Sequence, residues 1–446
     1  MKRLVLGITL AAVMVGVTLS GSHPSFAVTQ VDTARFFVDP ASLPFDALAG
    51  TSTSRYWGTT NGAGWRIEVP DNWNGDLVLY AHGYAGTGNA LAVQNPAFIR
   101  PELIAKGYAW AASSYRANGY VPGTGAEDTY DLLKIFKQVV SKDAKRGNFK
   151  RVYLYGVSMG GHVVGNMVEK WRSSFAGALP VCGVMGDNEL FDFFQDMYLI
   201  AETLAGNSPI VPTPADYYTN PLQGWQVTRT RLGTPYPGTL TPAGTLFKQI
   251  IENLSGGDRP VYDEGFVGPN GGDFAFNFGA AVAGPGRENF DTVYQLDTKP
   301  TLSPEEQQFN NTVIRVTAST RDRDKHGIFN QATSSPALAA KFKIPVLTLH
   351  TLGDLFVPFS MEQVYARRAI AAGTDDLLVQ RAIRGRGHCE FLPVEVSTAF
   401  GDLVNWVVND VTPQGDDILD PAKVASPDFG CKFTLVDHPF VPACRR

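Results

Sequence analysis

The chain reads as an α/β protein, with a mostly parallel central sheet flanked by helices and a large segment inserted between two parts of that sheet. Three observations predict this. From residue 76 onward, short apolar runs of strand character alternate with stretches of helical periodicity, the rhythm of βαβ units. The rhythm stops at Gly183 and resumes at Ile344. Before the interruption, the strand-like run Arg151-Val152-Tyr153-Leu154-Tyr155 passes through Gly156-Val157-Ser158-Met159-Gly160 into the helix-like stretch from Gly161 to Trp171. Strand, G-x-S-x-G turn and helix together make a nucleophile elbow, in which glycines let the backbone turn sharply enough to expose the serine hydroxyl.

Each element has its own signal. Residues 28–60 are mixed in character, and no functional residue is assigned there. Trp65 to Pro70 alternates like an edge strand, and Asn72-Trp73-Asn74-Gly75 turns the chain. Strands are predicted at 76–82, 109–115, 151–157 and 177–183. Helices are predicted at 97–106 and 126–145, the second marked by Tyr130, Leu133, Ile135, Phe136, Val139 and Val140 at helical spacing. The helix after Ser158 should turn Val163, Val164, Met167 and Trp171 inward. Beyond the interruption come a strand at 344–350, a helix near 358–372, a strand near 376–383 and a helix near 393–408.

The stretch 184–340 is too long for a loop. It opens with a helix-like run from Glu189 to Leu204 and later carries Gly- and Pro-rich turns at 256–257, 268–272 and 284–286. An inserted cap over the sheet edge is the economical reading. The expected organisation is a signal peptide at 1–27, a first part of the core at 28–183, the cap at 184–340, a second part of the core at 341–408 and a C-terminal extension at 409–446.

The N-terminus reads as an export signal. Lys2 and Arg3 precede an apolar run from Leu4 to Leu19, and Ser25-Phe26-Ala27 offers small residues for cleavage after Ala27. The run is short for a membrane anchor, the alternative reading. Removing Lys2 and Arg3 takes the formal net charge from −5 to −7, a balance that favours neither nucleic acid nor an anionic membrane. The chain is therefore expected to be secreted or periplasmic, without stable membrane insertion and without a nucleic-acid partner.

Cys182, Cys389, Cys431 and Cys444 all follow the signal, and an even count in an exported protein points to two disulfides. Three pairings are open. Cys431 with Cys444 would close a short C-terminal loop, and Cys182 with Cys389 would then join two points at the carboxyl edge of the sheet. None of the spacings resembles C-x-x-C, which argues against zinc. Asp416, Asp417 and Asp420 in the tail read as a solvated acidic loop rather than a calcium site.

A serine hydroxyl is a poor nucleophile at neutral pH, so Ser158 needs a base, an orienting carboxylate and an oxyanion hole. Asp354 directly follows the strand 344–350, on the edge where the elbow opens. Its alternative role is capping the next helix. Asp322 and Asp324 stand in a charged run that reads as surface. Of the seven histidines, His388 lies in the glycine-rich loop Arg384-Gly385-Arg386-Gly387-His388 after the last strand, where an imidazole can reach the serine. His23, His82, His162, His326, His350 and His438 are less well placed. The strand 76–82 ends in His82-Gly83-Tyr84, so the N–H groups of Tyr84 and Met159 are the candidate oxyanion donors. His82 itself is read as structural.

Gly156-Val157-Ser158-Met159-Gly160-Gly161, His82-Gly83, Gly353-Asp354 and Gly387-His388 resemble the elbow, oxyanion loop, acid and base of the α/β-hydrolase superfamily, over about 76–183 and 344–408. The resemblance implies an α/β-hydrolase fold, a Ser158/Asp354/His388 triad and an acyl-enzyme mechanism with no metal or organic cofactor. His388-Cys389 is further similar to secreted tannase and feruloyl-esterase relatives, in which cysteines beside serine and histidine are bridged. Here Val157 precedes Ser158, and Cys182 stands as the candidate partner instead.

Aromatic residues over 184–300 are only slightly above the chain's 11%, so most are read as that segment's own core. Phe193, Phe194 and Tyr198 are the candidates for an apolar acyl pocket. The expected function is hydrolysis of a small-molecule or polymeric carboxylic ester with an apolar or aromatic part. A serine peptidase or aminopeptidase of the same fold is the alternative, and a non-catalytic binding protein on this scaffold comes third.

Overall fold

The computed structural model describes residues 35–142, 147–206, 228, 230–233, 239–267, 289–297, 299, 301–315 and 335–445. The segment 1–27 with His23, the residues Asp322, Asp324 and His326, and the turns 268–272 and 284–286 lie outside them.

In chain order the strands are β1 (Phe37–Val38), β2 (Thr53–Thr60), β3 (Ala63–Pro70), β4 (Asp76–Ala81), β5 (Ala90–Leu91), β6 (Ala109–Ser113), β7 (Arg151–Val157), β8 (Gly177–Val181), β9 (Val346–Thr351) and β10 (Leu378–Ile383). The helices are α1 (Arg100–Ala105), α2 (Pro122–Val139), α3 (Met159–Lys170), α4 (Glu189–Leu204), α5 (Pro242–Leu254), α6 (Tyr262–Val267), α7 (Pro304–Thr312), α8 (Ser360–Ala372), α9 (Pro393–Asn409) and α10 (Pro421–Val424). Among the described residues, eight strands form the central sheet in the order β10-β9-β8-β7-β4-β6-β3-β2. Only the pairings of β3, with β2 and with β6, are antiparallel. The rest are parallel, with Leu77 opposite Ala109, Tyr80 opposite Tyr155 and Val157 opposite Val181.

Parallel strands covered on both faces are apolar at most positions, as β4, β7 and β8 are, while β9 and β10 also bury Thr348, His350, Thr351, Gln380 and Arg381. Alternation then sends successive residues to opposite faces. Leu77, Leu79, Val152 and Leu154 pack on one side with Leu132 and Phe136 of α2 and Val163, Val164 and Met167 of α3. Val78, Tyr80, Tyr153 and Tyr155 pack on the other with Leu103 and Ile104 of α1 and Phe400, Leu403 and Trp406 of α9. Trp171, half-buried at the end of α3, packs against the same side as Val163, Val164 and Met167 and stacks on Tyr130.

Three expectations are corrected. Trp65–Pro70 lies in β3, which is not an edge: β2, from the unassigned region, pairs with it along its whole length and takes the edge. α2 starts earlier than the periodicity suggested, because Pro122 at its first turn fits a helix start, where a missing N–H costs nothing. The tail is not simply a solvated acidic loop: Asp416 is largely buried and accepts Ala382 N–H at 2.8 Å, while Asp417 pairs with Lys423 and Asp420 caps α10.

The cysteines form Cys182–Cys389 and Cys431–Cys444. No helix among the described residues is long and apolar enough to cross a membrane.

Candidate active site

The site begins at the end of β7. Ser158 has φ 59° and ψ −124°, a conformation a non-glycine residue adopts only when its surroundings impose it. Its N–H is held by Val181 O at 3.0 Å, and its carbonyl accepts Gly161 N–H at 2.8 Å as α3 starts. Gly160 makes the turn sterically possible: a Cβ there would lie 2.0 Å from Ala81 O at the end of β4. The elbow therefore presses directly on the strand that leads into His82-Gly83-Tyr84.

Asp354 lies three residues beyond β9 and is fully buried. Its Oδ1 accepts the N–H groups of Phe356 and Val357, both at 2.9 Å, closing a turn that leads toward α8. Its Oδ2 accepts from His388 Nδ1 at 2.6 Å. The local capping use and the contact with histidine thus coexist, one on each oxygen. With Nδ1 donating to a carboxylate, His388 Nε2 is the acceptor for Ser158 Oγ–H, 2.8 Å away.

The loop carrying His388 is tied to the end of β9 and the turn that follows it. Thr351 Oγ1 donates to Gly387 O at 2.8 Å, and Gly353 N–H to Gly385 O at 2.9 Å. Cys389, the next residue, is bonded to Cys182 just past β8. The Phe356 ring lies 5.0 Å from the imidazole. Cys182, His388 and Cys389 put metal-ligating residue types close together, but both sulfurs are committed to the disulfide and neither is a thiolate.

Gly83 lies against Ser158: a Cβ there would come within 3.1 Å of Ser158 Cβ and 3.2 Å of Val157 O. Tyr84 follows it and lines the cleft at Ser158. Met159 occupies the first position of α3, where backbone N–H groups have no acceptor within the helix.

His82, His162 and His438 are engaged elsewhere. His82 is buried, its Nδ1 is 2.7 Å from Gly83 O, and its ring stacks on Tyr115 at 4.0 Å. Burial lowers its pKa. His162, also pushed down by burial, donates from Nε2 to Pro336 O and accepts Tyr120 Oη–H at Nδ1. His438 contacts Glu395 of α9 at 3.0 Å.

The cleft is lined by Tyr84, Tyr120, Leu190, Phe191, Phe194, Phe356 and Val357 around Ser158. Of the three pocket candidates, only Phe194 lines it. Phe193 borders a separate cleft with Asp192 and Asp196, and Tyr198 lines neither. Leu190 and Phe191 were missed. Their signal was available, since 190, 191 and 194 share a helical face at spacings of three and four.

No family model matches the sequence. The chain is similar to o-phthalyl amidase of Xanthobacter agilis, with 23% identity over 436 residues covering 86% of this chain and 94% of that protein. Among solved structures it is similar to feruloyl esterase B from Aspergillus oryzae, at 14% identity, 85% of this chain, 86% of that chain and a TM-score of 0.47. An esterase from Aspergillus oryzae gives 15% identity, 81% of each chain and a TM-score of 0.45. The mostly parallel sheet with helices on both faces is the α/β-hydrolase architecture that the resemblance implied.

Proposed function

We propose that this chain is an exported serine hydrolase that cleaves carboxylic esters through an acyl-enzyme intermediate. The observation that carries the reading is the row Ser158 Oγ, His388 and Asp354, with contacts of 2.8 and 2.6 Å. In the proposed reaction Ser158 Oγ attacks the ester carbonyl carbon while His388 Nε2 takes its proton. Asp354 orients the imidazole and stabilises the imidazolium so formed. The tetrahedral oxyanion is assigned to the Tyr84 and Met159 N–H groups. Collapse breaks the bond to the alcohol oxygen, which receives the proton from His388. Water then repeats the sequence on the acyl-enzyme, releasing the acid and restoring Ser158 Oγ–H.

The aromatic lining from Tyr84, Tyr120, Phe191, Phe194 and Phe356 supports a planar apolar or aromatic acyl group. We assign the described helices between β8 and β9 to a cap, because Leu190, Phe191 and Phe194 of α4 form one wall of this cleft. Two disulfides and the N-terminal signal pattern support an address outside the cytoplasm.

A second reading, hydrolysis of an aromatic amide, is favoured by the named activity of the Xanthobacter agilis relative. The same residues would serve, with an amine as leaving group. Purified protein assayed on nitrophenyl esters beside aminoacyl and aroyl anilides separates the two, with Ser158→Ala as control. Faster turnover of esters is expected. Anilide turnover exceeding ester turnover would replace the first reading with the second, and activity surviving in Ser158→Ala would remove both.

A further inference from the structure

A second buried histidine lies behind the Ser158–His388–Asp354 row. His350, in β9, is fully buried four residues before Asp354. Its Nε2 is 2.7 Å from Val357 O, and its Nδ1 is 3.3 Å from Glu362 Oε1 in α8. A carbonyl oxygen only accepts, so Nε2 carries a proton. Glu362 Oε2 accepts Thr348 Oγ1–H at 2.7 Å and Gln380 Nε2–H at 2.6 Å, and with Glu362 as a carboxylate its Oε1 is an acceptor as well. Nδ1 therefore faces an acceptor too. Two donor nitrogens make an imidazolium. Burial opposes that charge, but the hydrogen bond and field of Glu362 outweigh it and raise the pKa of His350. Nε2 stands 3.7 Å from Asp354 Oδ2, the oxygen that contacts His388.

We infer that His350 is a positioning residue for the reaction: an imidazolium that braces the loop carrying Asp354 and holds its carboxylate as the acceptor that orients His388. The inference rests on Ser158, His388 and Asp354 being the reacting set. The bracing is geometric. Val357 gives its N–H to Asp354 Oδ1 and its carbonyl to His350 Nε2, so the loop is held from both sides. The electrostatic part follows from burial, because an unexposed carboxylate needs nearby positive charge. The charged and titratable groups around His350 and Asp354 are Glu362 from α8, itself bonded by Thr348 of β9 and Gln380 of β10, His388 from its loop and Arg259 from the inserted segment. Arg259 is itself buried, donates to Leu352 O at 2.7 Å and feels the field of Asp354. Glu362 and His350 together add no net charge; their pairing points its positive end at Asp354.

The test is the dependence of kcat/KM on pH with a nitrophenyl ester for the wild type, His350→Gln and Asp354→Asn. Nitrogen NMR of labelled histidine rings in Ser158→Ala accompanies it. Removing a positive charge beside Asp354 raises the proton affinity of the Asp354–His388 pair, so the acidic limb of the His350→Gln profile should move up by about one pH unit. A plateau lower by about tenfold is expected with it. The His350 ring should show two protonated nitrogens at pH 7.5. An unmoved acidic limb in a folded His350→Gln protein would overturn the inference, as would a neutral His350 ring. Should His350→Gln fail to fold, the ring signals decide alone. Full activity in Asp354→Asn or Ser158→Ala would instead refute the underlying triad, whatever His350 does.

Discussion

Asp354 engages His388 with one oxygen and its own loop with the other: Oδ2 is 2.6 Å from His388 Nδ1, while Oδ1 holds the N–H groups of Phe356 and Val357. Both oxygens are used, so the carboxylate has little freedom to rotate. Asp354→Asn is close in shape but offers an amide group, which disfavours the tautomer with Nδ1–H. We predict a fall in kcat of about 10³–10⁴-fold with little change in KM. Steady-state kinetics with a thermal melt to verify folding check it, and a loss under tenfold would argue against the assigned role.

Gly83 gives a second test. A methyl group there would approach Ser158 Cβ at 3.1 Å and Val157 O at 3.2 Å, so the loop carrying Tyr84 would have to retreat. Gly83→Ala should cost about tenfold or more in kcat and leave the melting temperature nearly unchanged. A variant equally active but less stable would move Gly83 from the site to the scaffold.

The Cys182–Cys389 bond joins points 207 residues apart and ends beside the imidazole. Its removal in Cys182→Ala/Cys389→Ala should destabilise the fold by about 2–5 kcal/mol. It should also lower kcat at temperatures where the variant is fully folded, because the His388 loop loses its tether. Denaturant titration and kinetics at low temperature separate the two effects.

Phe194 is almost completely buried and forms part of the cleft wall. Phe194→Ala should cost about 3 kcal/mol of stability. It should also raise KM for aromatic acyl esters more than for acetyl esters. An unchanged ratio of the two KM values would show that the cleft wall at Phe194 does not touch the acyl group.

Asp196, in α4, is buried beneath Tyr294, whose hydroxyl donates to it at 2.6 Å. Burial raises its pKa to about 8. The unfolded carboxyl releases its proton near pH 4, so between about 4 and 8 the folded chain binds more protons. Stability should therefore fall as pH rises through that window and level off above it. Asp196→Asn should be less sensitive to pH across the same window. Melting curves at pH 5, 7 and 9 for both proteins test this, and parallel profiles would contradict it.

What was legible in the sequence was what local patterning specifies. Arg151 to Val157, the turn at Ser158 and the start of α3 could be read because strand period, glycines and helix period meet within twenty residues. Asp354 and His388 could be named as candidates from their places just after strands, and the fold sets His388 between Asp354 and Ser158. β2 was not legible: its residues are mostly half-exposed, and its identity comes from pairing with β3, a contact that needs the fold. The pocket wall was read only in part, since aromatic identity singled out Phe193, Phe194 and Tyr198 while helical phase selects Leu190, Phe191 and Phe194. Asp416 looked like surface because nothing local announces the Ala382 N–H it accepts.

The central claim is that Ser158 carries the acyl group. The most direct measurement is rapid-quench mass spectrometry of the intact protein during turnover of a nitrophenyl ester, followed by peptide mapping. One acyl adduct per chain is expected on the peptide containing Ser158, appearing with the burst of nitrophenol and absent from Ser158→Ala. A burst with the acyl group on another residue, or turnover at the wild-type rate in Ser158→Ala, would contradict the account.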